Sequence, residues 1–175
     1  MSRIRIAHKN FEVAKDANNI LQFDNVFSDR FSAYEIIGHN ISAGENPGTI
    51  FSMSLIGADG NVITTSSYYS VQTYGYDNVT TSTTSVQTGT YFRYFSRVGE
   101  EGSSNFQAVI HTPYESDKYT SFFNTCTQEI SGWYYSFVKS GIYQNAERVT
   151  GFRLYSDNLS YEIEAGNVSV FGIGG

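Results

Sequence analysis

The sequence predicts an all-β chain: one antiparallel sandwich or barrel, preceded by an extended N-terminal arm. Three observations carry this. β-branched and aromatic residues (Val, Ile, Phe, Tyr, Trp, Thr) number 69 against 42 strong helix formers (Ala, Leu, Lys, Glu, Gln, Met, Arg), the balance expected of pleated rather than helical structure. No stretch sustains a 3.6-residue apolar period with caps, so any helix is a short turn between strands. From residue 20 onward, short apolar runs alternate with turn residues at the spacing of a sandwich or barrel. A chain of 175 residues, 40% hydrophobic and 16% aromatic, is long enough for a single domain with a real core and too rich for disorder. The arm is assigned to residues 1–19 and the domain to residues 20–175.

The elements follow in order. Residues 20–27 read as a first strand and FSAYEIIGHNI, residues 31–41, as a second, with Asn46, Pro47 and Gly48 marking the loop after it. IFSMSLI, residues 50–56, places Phe51, Met53 and Leu55 on one face. Asp59-Gly60-Asn61, tolerant of left-handed backbone, joins it as a hairpin to residues 62–69. The Thr/Ser-rich residues 77–90 fit either a surface loop or an exposed edge strand. Further strands are expected at 91–98, 106–112, 119–127, 133–138, 149–155 and 168–173, with Pro113 ending one ladder because it has no N–H. The paired rings Tyr68-Tyr69, Phe122-Phe123 and Tyr134-Tyr135 should each put one ring inside and one outside, since neighbours on a strand face opposite ways.

Charge and cysteine content narrow the partners. A net charge of −6 argues against nucleic acid or an anionic membrane, which need clustered cations. No apolar run approaches the roughly 20 residues that span a bilayer, and the N-terminus lacks the apolar stretch of a secretory signal, so no export is expected. A single cysteine, Cys126, makes no internal disulfide and reads as a small buried residue. The arm is the exception in charge. Arg3, Arg5, Lys9 and Lys15 against Glu12 leave it basic, which suits an arm docked on an acidic neighbour.

Catalytic and metal chemistry find little footing. His8, His39 and His111 lie near no nucleophile motif, and no closely spaced His and Cys ligands occur. Asp16, Asn18, Asp157 and Asn158 have no calcium-loop spacing, and Glu100-Glu101 are adjacent rather than opposed across a sugar. No enzyme, cofactor or metal is expected. What stands out is aromatic surface: Tyr68, Tyr69, Tyr74, Tyr76, Trp133, Tyr134 and Tyr135 are the candidate rings for a saccharide or a protein interface.

Several segments carry a resemblance. ILQFDNV (20–26), FSAYEIIGHNI (31–41), the IFSMSLIGADGNV hairpin with its following Tyr pair, and GEEGSSNFQAVIHTP (99–113) lead to VTGFRLYSD (149–157) and AGNVSVFGI (165–173). In this order they resemble a family of single-domain jelly-roll proteins found among tailed-phage virion components, common in phages of aquatic bacteria. Phe171 stands where Tyr is commoner, and residues 77–90 have no clear counterpart. The resemblance implies a jelly-roll β-sandwich and a virion location, in tail, fibre, baseplate or capsid decoration, with no catalytic residues to transfer. Other virion proteins are then the expected partners, and symmetric copies, a homotrimer first, are expected to bury the leftover aromatic surface. The alternative is an adhesin module whose outward Tyr and Trp rings bind host-surface glycans.

Overall fold

A computed structural model describes residues 3–10, 20–42, 49–76, 79–98, 104–130, 132–156, 163 and 165–174; within these, the side chains of residues 49, 74, 76, 79–86, 94, 97, 98, 130 and 133 are not described. Among the described residues there are twelve strands and no helix: β1 (Arg3–Asn10), β2 (Ile20–Phe23), β3 (Ala33–Ser42), β4 (Thr49–Gly57), β5 (Tyr68–Tyr76), β6 (Val79–Gly89), β7 (Phe92–Val98), β8 (Ser104–His111), β9 (Thr120–Ile130), β10 (Trp133–Tyr143), β11 (Val149–Ser156) and β12 (Ala165–Ile173). They form two antiparallel sheets, an 8-stranded one ordered β1-β12-β3-β8-β9-β10-β5-β6 and a 4-stranded one ordered β2-β11-β4-β7. The fold is a β-sandwich.

Set aside the hairpins β5-β6 and β9-β10, and number the other strands afresh along the chain. The long sheet then runs first, eighth, third, sixth, and the short sheet runs second, seventh, fourth, fifth. The two hairpins, one after β4 and one after β8, meet at the same end of the long sheet through the β10–β5 ladder.

The core lies between the sheets. Tyr34, Ile36, Phe106, Ala108, Ile110, Val168 and Val170 face inward from the long sheet, and Phe23, Phe51, Met53, Leu55, Phe152 and Leu154 meet them from the short one. Rings interlock there, with Phe23 stacked on Phe152 at 4.8 Å and Phe92 edge-on to Phe122 at 4.5 Å. Gly151 is required by a close approach, because a Cβ there would lie 2.2 Å from the Phe23 carbonyl oxygen. Burial of this kind, at roughly 25 cal/mol per Å² of apolar surface, is the main term holding the sheets together.

Four expectations change in detail. The arm is not detached from the domain: residues 3–10 are β1, paired with β12 from Arg3↔Ile173 to Asn10↔Asn167. The first strand stops at Phe23 rather than residue 27, since Asn25 takes a left-handed φ of 52°. The Asp59-Gly60-Asn61 hairpin is a single bridge, Ile56↔Val62, after which the chain crosses over and Tyr68 starts β5 in the opposite sheet. The crossing is held by burial of Ile63 and Tyr68, with the Tyr68 hydroxyl donating to the Ile63 carbonyl at 3.1 Å. Finally, residues 79–89 are a strand at the end of the long sheet, the edge-strand alternative for the Thr/Ser stretch.

Candidate functional site: the outer face of the inserted hairpins

The basic arm is folded into the molecule it was expected to anchor. The Arg3 guanidinium lies 2.6 Å from the Glu35 carboxylate and 4.2 Å from the Phe171 ring centre, so β1 is tied across β12 to β3. Gln107 on β8 donates to the same carboxylate, extending the chain by one more strand. A β-bulge between Arg5 and Ala7 then turns Lys9 toward the other sheet, where its ammonium donates to the Gln22 carbonyl. His8 rests against the Ser169 hydroxyl at 2.8 Å. Arg5 is exposed, with no ion pair among the described residues, and Lys15 lies outside them.

The candidate rings do not converge. Tyr68, only 1% exposed, is a core residue packed between Phe92 and Tyr143, and its removal from water pushes its phenol well above the usual tyrosine range. It is corrected from surface ring to core ring, because on β5 it takes the inward position and Tyr69 the outward one. Tyr135 is half-buried against the core. Tyr134, 62% exposed, sits on β10 eight residues from Ile142, the partner of Tyr69, roughly 26 Å away along the strand. The side chains of Tyr74, Tyr76 and Trp133 lie outside those described. The three ring pairs split as the strand period requires: Tyr68 inside with Tyr69 out, Phe122 inside with Phe123 out, and Tyr135 against the core with Tyr134 out.

What the fold does gather is a patch on the outer face of β9, β10 and β5. Phe123, Ser140 and Val71 are directly opposite one another across the three strands, and Thr125, Val138 and Thr73 form the next row. Tyr69, Val71, Phe123 and Val138 are 37%, 41%, 48% and 44% exposed. Between Tyr69 and Phe123 lies a shallow groove of about 440 Å³ lined also by His111, Ser121, Phe122, Ser140, Gly141 and Ile142. Gly141 is required by close packing on the inner side, where a Cβ would come 2.3 Å from the Phe122 ring and 2.9 Å from the Tyr69 carbonyl oxygen.

The inner face of the same strands carries a polar row among core residues such as Phe122, Phe137 and Tyr143. Asn124, Lys139 and Gln72 are register partners across β9, β10 and β5, and all three are buried. Lys139 donates to the Arg93 carbonyl and, at 3.2 Å, to the Gln87 side chain, while Asn124 donates to the Phe95 carbonyl. Arg93 and Phe95 are alternate residues of β7, whose only ladder partner among the described strands is β4. The buried polar row therefore occupies the place of a missing strand beside β7. Sequence reasoning passed over Lys139, Phe123, Val71 and Val138. The signal for the outward trio was the alternation in SFFNT, SVQT and SFVKS, where the apolar residue falls on the wrong side of the strand for a core.

Cys126 is buried, with its Sγ 3.0 Å from the Ser96 hydroxyl. Among the described residues no group of three or more His, Cys, Asp or Glu is placed to hold a metal ion. Asp16, Asn18, Glu100, Glu101, Asp157 and Asn158 lie outside the described residues. Compared with protein-family models, curated proteins and solved structures, the chain matches none of them.

Proposed function

We propose that the chain is a non-enzymatic structural component of a tailed-phage virion, exposed on the particle surface. The observation that carries this reading is the strand order. We read the order of the eight strands outside the two hairpins as the two-sheet interleaving of a jelly roll, the architecture that the sequence resemblance implies and one common in viral shells. The hairpins then account for the Thr/Ser stretch that has no counterpart in that family, because β6 belongs to an insertion. A structural role is served by surface, and the surface available is the outer face of those hairpins. Attachment through this face has more geometric support than attachment through β1, whose Arg3 and Lys9 are already engaged within the same sandwich.

The test is mass spectrometry of density-gradient-purified particles from a phage whose genome encodes the chain. The chain should appear in many copies at constant ratio to the major capsid or tail-tube protein. Recovery only from the soluble fraction of the lysate would defeat the proposal.

A further inference from the structure

We infer that the outer face of β9, β10 and β5 is an interface with a second copy of this chain. The inference deepens the structural role proposed above and rests on it. Three observations select the occupant. The face is apolar where it is most prominent, with Tyr69, Val71, Phe123 and Val138 exposed and arranged in adjacent rows. It is also uncharged: over Ser121–Thr127, Ser136–Ile142 and Tyr69–Thr73, no outward side chain carries a formal charge, although the chain as a whole has a net charge of −6. Self-pairing through a face of net negative charge sets like charges against each other, and this uncharged face avoids that cost. Loss of charge with gain of aromatic and aliphatic side chains is the composition that marks the centre of an interface.

Size is the third observation. With β8 beside it, the face spans four strands, on the order of 400 Å² in flat projection at ~4.8 Å per strand. Side-chain relief raises the accessible area toward the roughly 800 Å² per partner of a standard interface. A two-fold pairing uses the same patch on both copies, so the groove beside Phe123 of one copy receives an exposed side chain of the other. The polar inner row beneath sharpens the point. These strands do not carry apolar residues everywhere, so the outward ones are not spillover from a hydrophobic core.

Sedimentation velocity and multi-angle light scattering on the full chain over a concentration series test this. The wild type should show a concentration-dependent dimer, and Val71→Glu with Phe123→Glu should raise its Kd by on the order of 100-fold. The milder pair Val71→Thr and Phe123→Thr serves if the glutamates impair folding, with circular dichroism reporting the fold of each variant. A wild type that stays monomeric, or an oligomer that survives both pairs of substitutions, overturns the interface. So does saturable glycan-array binding that needs Phe123 in a monomeric chain, which would assign the groove to a saccharide. A monomer that is nevertheless present in purified particles removes this interface and leaves the structural role standing; an oligomer absent from particles does the reverse.

Discussion

The two ends of the long sheet are built with opposite polarity. Around β12, β3 and β8 the inward side chains are Val168, Val170, Tyr34, Ile36, Phe106, Ala108 and Ile110, all buried, while the outward side carries the Arg3–Glu35–Gln107 chain of polar contacts. Around β9, β10 and β5 the inward side includes the row Asn124, Lys139 and Gln72, and the outward side holds Phe123, Val71 and Val138. The first end is held by burial against the short sheet. The second lies beyond β8, where β7 is the last strand of the short sheet; there Phe122 and Tyr68 pack on Phe92, and Asn124 and Lys139 donate to the β7 backbone. Inward polarity thus has a purpose within one copy, and outward apolarity gains one when a second copy covers it.

Truncation at the apolar end should have the largest effect. Ile36 is fully buried in the main cluster, and Ile36→Ala should cost about 3 kcal/mol through lost transfer energy and the cavity left behind. Urea unfolding would read it as a lower midpoint with unchanged slope. At the polar end, Lys139→Met keeps most of the volume but removes the donor to the Arg93 carbonyl. The expected loss is about 1–2 kcal/mol, the penalty for a buried carbonyl left without a partner. If this variant matched the wild type, the row would be filler and the contrast between the two ends would dissolve.

Sequence pattern reached the first end and stalled at the second for a physical reason. Alternation in IFSMSLI and in NFQAVIH marks the inward face correctly, since Phe51, Met53, Leu55, Phe106, Ala108 and Ile110 are all buried. The same rule applied to VKSGI or YSVQT puts the apolar residue inside and fails when hydrogen bonding to a neighbouring edge decides which face is covered. Lys139 is the plainest case: a lone lysine reads as a solvated side chain until β7 is placed beside it. The destination of β5 was equally invisible, because Asp59-Gly60-Asn61 does form its local turn, with the Asn61 amide donating to Asp59 Oδ1 at 3.0 Å, and only the tertiary packing of Ile63 and Tyr68 carries the chain across. The cations of the arm were legible as a cluster but not their partners, Glu35 and the Gln22 carbonyl, which lie far along the chain.

The second end also contains a pH probe, on β5 and β10. Tyr68 is pushed up by burial, and Tyr143 beside it is raised by burial and then by its hydrogen bond to Glu147. A phenol whose folded pKa exceeds its unfolded value of about 10 contributes stability that is complete below that pH and is lost as pH rises through the folded value. The unfolding free energy should therefore be insensitive to these groups from pH 7 to about 9 and fall above about 10, with a slope approaching 1.4 kcal/mol per pH unit for Tyr68. In Tyr68→Phe that part of the alkaline slope should vanish. A slope unchanged in the variant would place the titration elsewhere.

The smallest effect expected separates two lysines with the same task. Each end of the short sheet is an edge strand, β2 or β7, and each receives an ammonium from the long sheet: Lys9 on the Gln22 carbonyl and Lys139 on the Arg93 carbonyl. Such caps blunt an edge that another chain could otherwise extend. They differ in water. Lys9 is exposed and also lies 5.3 Å from the Phe23 ring centre, so in Lys9→Ala solvent takes over the carbonyl and the loss should be about 0.5 kcal/mol. Lys139 is buried, and no water replaces it without opening the sheet. Measured side by side, Lys9→Ala should cost less than Lys139→Met even though it removes more atoms. The reverse order would mean that chain length rather than burial sets the worth of the cap.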